Sequence, residues 1–131
     1  MKHVNVVCAL IKNKEGNIFC CQRGPGRAME GYWEFPGGKI EPNESKEHAI
    51  VREIKEELNS IIKPVKYLGV VNHTYTDIEN PFSITMYGYL CTLEEGTLEL
   101  SEHIDKKWCN KEELAALNFA AADIPFIEFI K

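Results

Sequence analysis

Three glutamates near the middle of the chain have the types and spacing to bind a divalent metal ion. Glu53, Glu56 and Glu57 are three and four positions apart, so on a helix their side chains project from one face. Like charges at positions i and i+4 destabilise a helix by about 0.2 to 0.5 kcal/mol per pair unless a cation offsets the repulsion. Carboxylate oxygens prefer a hard cation, so Mg²⁺ is the natural candidate, with Mn²⁺ as a substitute. The spacing alone fits equally well a solvated charged face, with Arg52 and Lys55 as ion-pair partners.

The residues around these glutamates could complete such a site. Gly37 and Gly38 let the backbone bend sharply and approach a ligand without a Cβ in the way, and they could present a carbonyl oxygen to a metal. Glu44 lies at the predicted start of the helix, where the helix dipole favours a negative charge. Arg52 stands four residues before Glu56 and is predicted to orient a neighbouring carboxylate.

The glutamates lie on a predicted helix that follows an irregular loop. Between about residues 44 and 58, apolar residues recur every four positions and predict a helix with one buried stripe, formed by Ile50, Ile54 and Leu58. Asn59 can end this helix in the left-handed conformation. Before the helix, Pro36 and the two glycines break regular structure, so the segment 32–40 is predicted to be a shaped loop.

Runs rich in β-branched and aromatic residues predict strands on both sides of this helix, at 4–11, 17–22, 65–76, 82–93 and 106–109. A turn at 13–16 is expected to join the first two strands into a hairpin. Asn110 with Glu113 has the form of a capping box that starts a short helix, and a further helix is predicted from near Ile124 to the end. This order favours a mixed α/β sandwich over a doubly wound parallel sheet.

Length and composition indicate a single domain over residues 1–131. No repeat, low-complexity tract or linker interrupts the chain. With 44% apolar and 27% charged residues, the chain can bury a core and keep a polar surface. The 15 basic and 20 acidic residues give a formal net charge of −5, which disfavours a nucleic acid polymer as partner.

The sequence predicts neither a membrane segment nor a secretory leader. No apolar run approaches the roughly 20 residues of a membrane helix, so we expect a cytoplasmic protein with no membrane partner. The cysteines are odd in number and contain no C-x-x-C pair, which favours reduced, mostly buried thiols at Cys8, Cys20, Cys21, Cys91 and Cys109. The four histidines have no metal-ligand spacing and are assigned no role.

The segment 38–60, GKIEPNESKEHAIVREIKEELNS, resembles the Nudix box, G-x5-E-x7-R-E-U-x-E-E-x-G-U, where U is a bulky apolar residue. The positions that match this pattern are Gly38, Glu44, Arg52, Glu53, Ile54, Glu56 and Glu57. Asn59 and Ser60 replace the last glycine and apolar residue of the pattern. Because asparagine tolerates the left-handed conformation, we expect the loop–helix–loop structure of the box to form despite these two differences.

The resemblance extends over nearly the whole chain. The segment 33–39, WEFPGGK, looks like the entry to the box in MutT-type enzymes, and Glu102 with Trp108 resembles a distal metal carboxylate and tryptophan of that group. The segment 121–129, AADIPFIEF, is similar to the tail of bacterial CTP pyrophosphohydrolases. The family resemblance implies a single-domain Nudix-type α/β/α sandwich with a mixed β-sheet, Mg²⁺ dependence, and hydrolysis of a nucleoside diphosphate linked to another group.

The resemblance also implies which residues would form the catalytic centre. Metal would be held by Glu53, Glu56, Glu57 and the carbonyl of Gly37, with Glu102 as a further ligand or base. The glutamate that accepts the proton varies among relatives, and Glu53 is favoured. Glu44 and Arg52 belong to the same catalytic segment.

Other positions that match the family's pattern would bind the substrate. Arg23 matches a phosphate-contacting position and Lys39 is close enough in sequence to assist, although either could be a surface cation. Phe35 and Asp123 resemble base-pocket positions, with core packing and a helix cap as the respective alternatives. Tyr75 and Phe82 could line the same pocket or belong to the core, and these two assignments stay open.

Three functions are compatible with these patterns. The favoured one is a nucleoside triphosphate pyrophosphohydrolase that releases a nucleoside monophosphate and pyrophosphate. Its substrate would be of the (d)CTP type or an oxidised nucleotide such as 8-oxo-dGTP, as in nucleotide-pool sanitising. Asp123 stands where purine-sanitising relatives carry asparagine, so we favour cytidine nucleotides. The alternatives are hydrolysis of ADP-ribose or a dinucleoside polyphosphate, and a non-catalytic nucleotide-binding module. In each case the partner is a small nucleotide, and both monomer and homodimer stay open.

Overall fold

Residues 1–130, which a computed structural model describes, form two β-sheets with helices on both sides. The strands are β1 (Lys2–Ile11), β2 (Ile18–Arg23), β3 (Trp33–Glu34), β4 (Gly37–Lys39), β5 (Ile61–Tyr75), β6 (Phe82–Glu95) and β7 (His103–Cys109). The helices are α1 (Lys46–Leu58), α2 (Lys111–Ala116) and α3 (Ile124–Ile127). None of the helices in this part of the chain has the length and apolar character needed to cross a membrane.

The larger sheet is mixed and the smaller one is antiparallel. The larger has the order β4-β1-β6-β5, with β1 and β6 parallel and the other neighbours antiparallel. The smaller has the order β3-β2-β7. Alternate side chains of β1 face opposite cores, since Val7 and Ala9 pack with α1 whereas Cys8 and Leu10 share a core with α2 and α3. The predicted mixed α/β sandwich is confirmed.

Helix α1 is defined by its caps and its apolar stripe. The Ser45 side chain accepts a hydrogen bond from the His48 N–H at 3.1 Å, so the helix starts two residues later than predicted. Its buried residues are Ala49, Ile50, Ile54 and Leu58. At the other end Asn59 has φ 46°, and its N–H donates to the Lys55 carbonyl, which confirms the predicted left-handed end.

The C-terminal end of α1 keeps its capped structure although Asn59 and Ser60 differ from the Nudix box pattern. Ser60 is 1% exposed where the pattern has an apolar side chain. Its Oγ donates to the Leu58 carbonyl at 2.9 Å and accepts from the Leu98 N–H at 2.8 Å, so the buried hydroxyl is fully satisfied. A buried hydrogen-bonded hydroxyl thus replaces the expected apolar contact.

The predicted hairpin of the first two strands is wrong. The turn does reverse the chain, with the Asn13 N–H donating to the Asn17 carbonyl at 3.0 Å. Beyond an isolated bridge between Lys12 and Ile18, however, β1 and β2 separate into different sheets. The second half of β1 (7–11) and the first four residues of β2 (18–21) are apolar and buried, and each strand lies inside its own sheet with a neighbour along each edge.

The predicted loop at 32–40 is also wrong, because it contains β3 and β4. Pro36 lies between these strands, and its carbonyl accepts from the Ala9 N–H at 2.8 Å. A Cβ at Gly37 would overlap the Val7 carbonyl of β1, so glycine allows the close strand pairing rather than irregular structure. The expectation of a close backbone approach was right, and the expectation that glycine breaks the strand was wrong.

The elements after α1 follow the prediction with different ends. β5 starts at Ile61, and it accommodates Pro64 because it is an edge strand with an irregular register there. The Asn110 capping box of α2 is confirmed, since the Glu113 N–H donates to Asn110 Oδ1 at 2.8 Å and Glu113 Oε1 accepts from the Asn110 N–H at 3.0 Å. The last helix covers only Ile124–Ile127, so its predicted extension was too long; Lys131 lies outside the described residues.

Candidate active site

A cavity of about 580 Å³ opens where α1, β4 and the two sheets approach one another. Its carboxylates come from Glu34, Glu53, Glu57 and Asp123. Its cationic side chains come from Arg23, Arg27, Lys39 and Lys2. Its apolar lining includes Phe35, Phe82, Ile84 and Met86. The cavity therefore brings charged groups of both signs against an aromatic and apolar wall, as a site for a small charged ligand does.

Arg52 holds the acidic residues of the box in place. Its Nε and Nη2 donate to both oxygens of Glu44, at 2.6 and 2.9 Å, in a bidentate pair. Its Nη1 donates to Glu53 Oε1 at 2.9 Å and to Glu56 Oε2 at 3.1 Å. Its Nη2 also donates to the Lys39 carbonyl at 3.0 Å. Arg52 thus connects the loop before α1 to two of the three glutamates, as the prediction that it orients a carboxylate requires.

Glu44 lies outside the cavity and belongs to this supporting network. The hydrogen bonds from Arg52, followed by one from the Glu41 N–H, lower the pKa of Glu44 to about 2. Its carboxylate also lies 2.8 Å from His48 Nδ1. Glu44 therefore stays ionised at any ordinary pH and keeps Arg52 in place.

Glu53 and Glu57 face the cavity, and Glu53 also pairs with Arg52. The Glu53 carboxylate lies against Gly38, where a Cβ would overlap it. Burial, followed by the negative charges of Glu53 and Glu102, raises the pKa of Glu57 to about 8. Crowded, partly desolvated carboxylates of this kind are the donor set that a hard divalent cation stabilises. Neither residue lies on a fully solvated face, although the ion pair between Arg52 and Glu53 that this interpretation expected is present.

Two of the predicted metal ligands do not line the cavity. The Glu56 side chain is 59% exposed and pairs with Arg52, and the Glu102 side chain is 55% exposed, 3.7 Å from Arg27 Nη1. Glu102 is nevertheless close enough for its charge to raise the pKa of Glu57. Glu56 and Glu102 thus lie at the outer edge of the acidic cluster, whereas Gly37, Glu53 and Glu57 lie inside it.

Arg23 is fixed by a buried network that the sequence prediction did not include. Its Nη1 donates to Glu34 Oε1 at 2.7 Å, and His103 Nε2 lies 2.8 Å from Glu34 Oε2. Burial by itself would raise the pKa of Glu34, but the hydrogen bond from His103 and the charge of Arg23 lower it below the usual range. Arg23 is therefore a cavity-lining cation rather than a free surface residue.

Cys21, Glu34 and His103 have potential ligand atoms within 4.8 Å of one another. The Arg23 guanidinium already neutralises the Glu34 carboxylate, and burial raises the pKa of the Cys21 thiol. Both oxygens of the Glu34 carboxylate are thus engaged, by Arg23 and by His103, whereas His103 Nδ1 is buried and makes no hydrogen bond within residues 1–130. His103 carries no local signal of this contact, since 69 positions separate it from Glu34.

Asp123 and Phe35 form the opposite wall of the cavity. Asp123 is 3% exposed, and its Oδ2 accepts from the Phe35 N–H at 2.9 Å. It occupies the N-cap position of α3, as the helix-cap alternative expected, but its side chain makes no capping hydrogen bond there. Burial and the negative charge of Glu34 raise the pKa of Asp123. Phe35 packs on Phe119 with ring centroids 5.0 Å apart and also lines the cavity, so it belongs to both core and site.

Tyr75 and Phe82 also line this cavity, with ring centroids 5.2 Å apart. The Tyr75 hydroxyl oxygen accepts from the Ala122 N–H at 2.9 Å and so ties β5 to the segment that precedes Asp123. Lys39 lines the cavity from β4. Every residue predicted to bind substrate is therefore brought to one cavity.

Comparison with known proteins assigns the chain to a family. Residues 1–130 match the family model described as the NUDIX domain, so the chain belongs to the Nudix family. It is similar to the CTP pyrophosphohydrolase of Escherichia coli (strain K12), with 37% identity over 128 residues that cover 98% of this chain and 91% of the relative. It is 30% identical to the 8-oxo-dGTP diphosphatase of the same organism over 131 residues, covering 100% of this chain and 98% of the relative.

A solved structure gives the same assignment. The solution NMR structure of the MutT protein of the Nudix hydrolase family from methicillin-resistant Staphylococcus aureus 252 aligns with a TM-score of 0.76 and 36% identity. The alignment covers 99% of this chain and 97% of that chain. The predicted family and enzyme class are confirmed, and the chain is a Nudix hydrolase.

Proposed function

We propose that this Nudix hydrolase is a Mg²⁺-dependent nucleoside triphosphate pyrophosphohydrolase that releases a nucleoside monophosphate and pyrophosphate. The observation that carries the proposal is that the Glu53 and Glu57 carboxylates share one cavity with the Phe35 and Asp123 wall. A single nucleotide could then reach both, with its phosphates at the glutamates and its base at the wall. The names of the two E. coli relatives, a CTP pyrophosphohydrolase and an 8-oxo-dGTP diphosphatase, support this reaction class.

The acidic cluster fits a divalent cation. Mg²⁺, or Mn²⁺ in its place, would be held by Glu53, Glu56, Glu57 and the Gly37 carbonyl, with Glu102 at the edge. When bound, such an ion neutralises phosphate oxygens and lowers the pKa of a water molecule. The proposal is supported by the position of Glu53 and Glu57 in the cavity lining, and by the burial and neighbouring negative charges that raise the pKa of Glu57.

The chain's own cations and carboxylates would position the phosphates and move the proton. Arg23, immobilised by Glu34, presents its guanidinium to the cavity, where phosphate oxygens can accept from it. Lys39 adds a second positive charge. Glu53, whose carboxylate is oriented by Arg52, is the proposed general base for the attacking water.

The base pocket favours a nucleobase with an exocyclic amine. Asp123 Oδ2 is taken by the Phe35 N–H, and no group within residues 1–130 makes a hydrogen bond to Oδ1. In the ionised form of Asp123, Oδ1 can therefore accept from the 4-amino group of cytosine while an aromatic side chain contacts the ring. We propose (d)CTP-type nucleotides as the preferred substrates and oxidised purines such as 8-oxo-dGTP as the competing class.

Product analysis over a nucleotide panel tests this proposal. Purified protein with Mg²⁺ would be incubated with CTP, dCTP, 5-methyl-dCTP, dGTP, 8-oxo-dGTP, ADP-ribose and a diadenosine polyphosphate. The proposal predicts monophosphate and pyrophosphate from cytidine triphosphates ahead of the purines. Turnover of ADP-ribose or the dinucleotide alone would establish the other Nudix substrate class. A protein that binds nucleotides and cleaves none of them would be a binding module.

A further inference from the structure

The β2–β3 loop, residues 24–32, is a structured segment beside the phosphate-binding end of the cavity. The Arg23 N–H donates to the Tyr32 carbonyl at 2.9 Å, and the Gly31 N–H donates to the Arg23 carbonyl at 3.0 Å. The Arg23 side chain reaches the same loop, with its Nε donating to the Ala28 carbonyl at 2.5 Å. The loop is therefore hydrogen-bonded to both the backbone and the side chain of Arg23. These bonds fix the position of Ala28, and so of the residue before it, close to Arg23.

That residue is Arg27, and its guanidinium lies among carboxylates without a complete set of partners. Its Nη1 is buried, and within residues 1–130 it makes no hydrogen bond. Glu102 Oε2 is 3.7 Å away, which is beyond hydrogen-bonding distance. The charge of Arg27 also acts on Glu57, whose pKa it lowers against the larger raising effects of burial and of Glu53. A buried N–H donor that is left unpaired is costly, so this geometry favours an acceptor that arrives from outside the chain.

We propose that Arg27 binds the phosphate chain of the nucleotide, as a second guanidinium beside Arg23; this inference rests on the proposed function. Phosphate oxygens are anionic acceptors that suit a planar guanidinium, and Arg27 lines the same cavity as Arg23. Arg27 Nη1 lies 3.7 Å from Glu102 Oε2, whereas Asp123 lies at the Phe35 wall. Arg27 therefore contributes to affinity for the polyphosphate and not to the choice of base.

The competing interpretation is that Arg27 only neutralises Glu102. A 3.7 Å pair in which the glutamate side chain is 55% exposed has weak geometry and contributes little to stability. Such a pair would leave the affinity for polyphosphate unchanged when Arg27 is replaced. The two interpretations therefore differ in a binding measurement that involves neither a nucleobase nor turnover.

The test is a calorimetric titration of the full chain with inorganic tripolyphosphate in the presence of Mg²⁺. Arg27→Gln should weaken binding by at least about tenfold, which corresponds to the loss of one hydrogen bond to a charged group. Arg27→Lys should restore part of the affinity, because it keeps the charge without the planar fork. Lys14→Gln, an exposed charge removal in the β1–β2 turn, is the matched control and should bind like the wild type.

Two outcomes would overturn the inference: Arg27→Gln binding tripolyphosphate as tightly as the wild type, or wild-type protein failing to bind it. Thermal unfolding of each variant shows whether its fold is intact. If Arg27→Gln does not fold, the tripolyphosphate affinity of the milder variant Arg27→Lys is compared with that of the wild type instead. Failure of the proposed function is a separate result, since it would appear as wild-type protein that cleaves no nucleoside triphosphate. Loss of tripolyphosphate binding on replacing Arg27 would still support the inference in that case.

Discussion

His103 Nε2 lies 2.8 Å from Glu34 Oε2, and the other oxygen of the same carboxylate accepts from Arg23 Nη1 at 2.7 Å. The histidine side chain is 1% exposed and begins β7, directly after Glu102. Through Glu34, the start of β7 is therefore connected to the cation proposed to bind phosphate. Because both oxygens of the Glu34 carboxylate are engaged, we expect His103 to hold Glu34, and through it Arg23, in position.

Replacing His103 should weaken substrate binding more than it slows turnover. His103→Leu removes the hydrogen bond to Glu34 and should raise KM for the triphosphate, while lowering the free energy of unfolding by about 1–3 kcal/mol. His103→Gln keeps an N–H donor and should recover part of the KM loss. Steady-state kinetics and urea unfolding measure the two effects.

A double-mutant cycle separates this role from a purely structural one. If His103 acts through Arg23, then His103→Leu should add little to the KM of an Arg23→Gln variant. Fully additive effects on KM would show that His103 does not position Arg23.

Asp123→Asn should change the order of preference among nucleobases. The asparagine Oδ1 can still accept from the Phe35 N–H, so the wall should keep its shape, but its amide now presents a donor to the base where the carboxylate offered an acceptor. We expect kcat/KM for CTP to fall relative to that for 8-oxo-dGTP. An unchanged ratio of the two kcat/KM values would remove Asp123 from the base pocket.

The stability of the metal-free protein should depend on pH through Glu57. Its folded pKa is raised to about 8 from an ordinary value of 4.5, so the folded state binds the extra proton between these two pH values. The contribution of Glu57 to the free energy of unfolding is therefore full below pH 4.5 and is lost as pH rises to about 8.

Glu57→Gln isolates this effect from the other titrating groups. The free energy of unfolding of both proteins would be measured with urea in EDTA from about pH 5 to about pH 8.5. As pH rises, the value for the wild type should fall relative to the value for Glu57→Gln. A difference between variant and wild type that is independent of pH would contradict the raised pKa.

The three helix glutamates should be needed for turnover and not for folding. Glu56→Gln and Glu57→Gln each remove a proposed metal-binding charge, so kcat should fall by orders of magnitude with little loss of helical circular dichroism. Glu15→Gln removes an exposed charge in the β1–β2 turn and serves as control. Wild-type rates in Glu56→Gln would place Glu56 outside the metal site. Of the two variants, Glu56→Gln is the sharper test because the Glu56 side chain is 59% exposed.

Elements specified by neighbouring residues could be predicted from the sequence, and elements specified by distant pairings could not. The Asn59 helix end and the Asn110 capping box depend on hydrogen bonds within four residues, and both were predicted. The separation of β1 from β2 depends instead on pairing of β1 with β6, about 80 positions away, which no local pattern records.

The same distinction applies to the cavity. The glutamates of α1 have helical spacing, so their common face could be predicted from residues three and four positions apart. The partnership of Glu34 and His103 crosses 69 positions and two strand pairings. Arg27 was missed because its loop carries no regular pattern, and only the folded chain shows that it lines the cavity.

The most direct test of the account is the identity of the products formed from CTP by the wild-type protein, with Mg²⁺ and with excess EDTA. We predict CMP and pyrophosphate in equal amounts with Mg²⁺, and no turnover in EDTA. Formation of CDP and phosphate, or equal rates in EDTA, would contradict a metal-dependent pyrophosphohydrolase centred on Glu53 and Glu57.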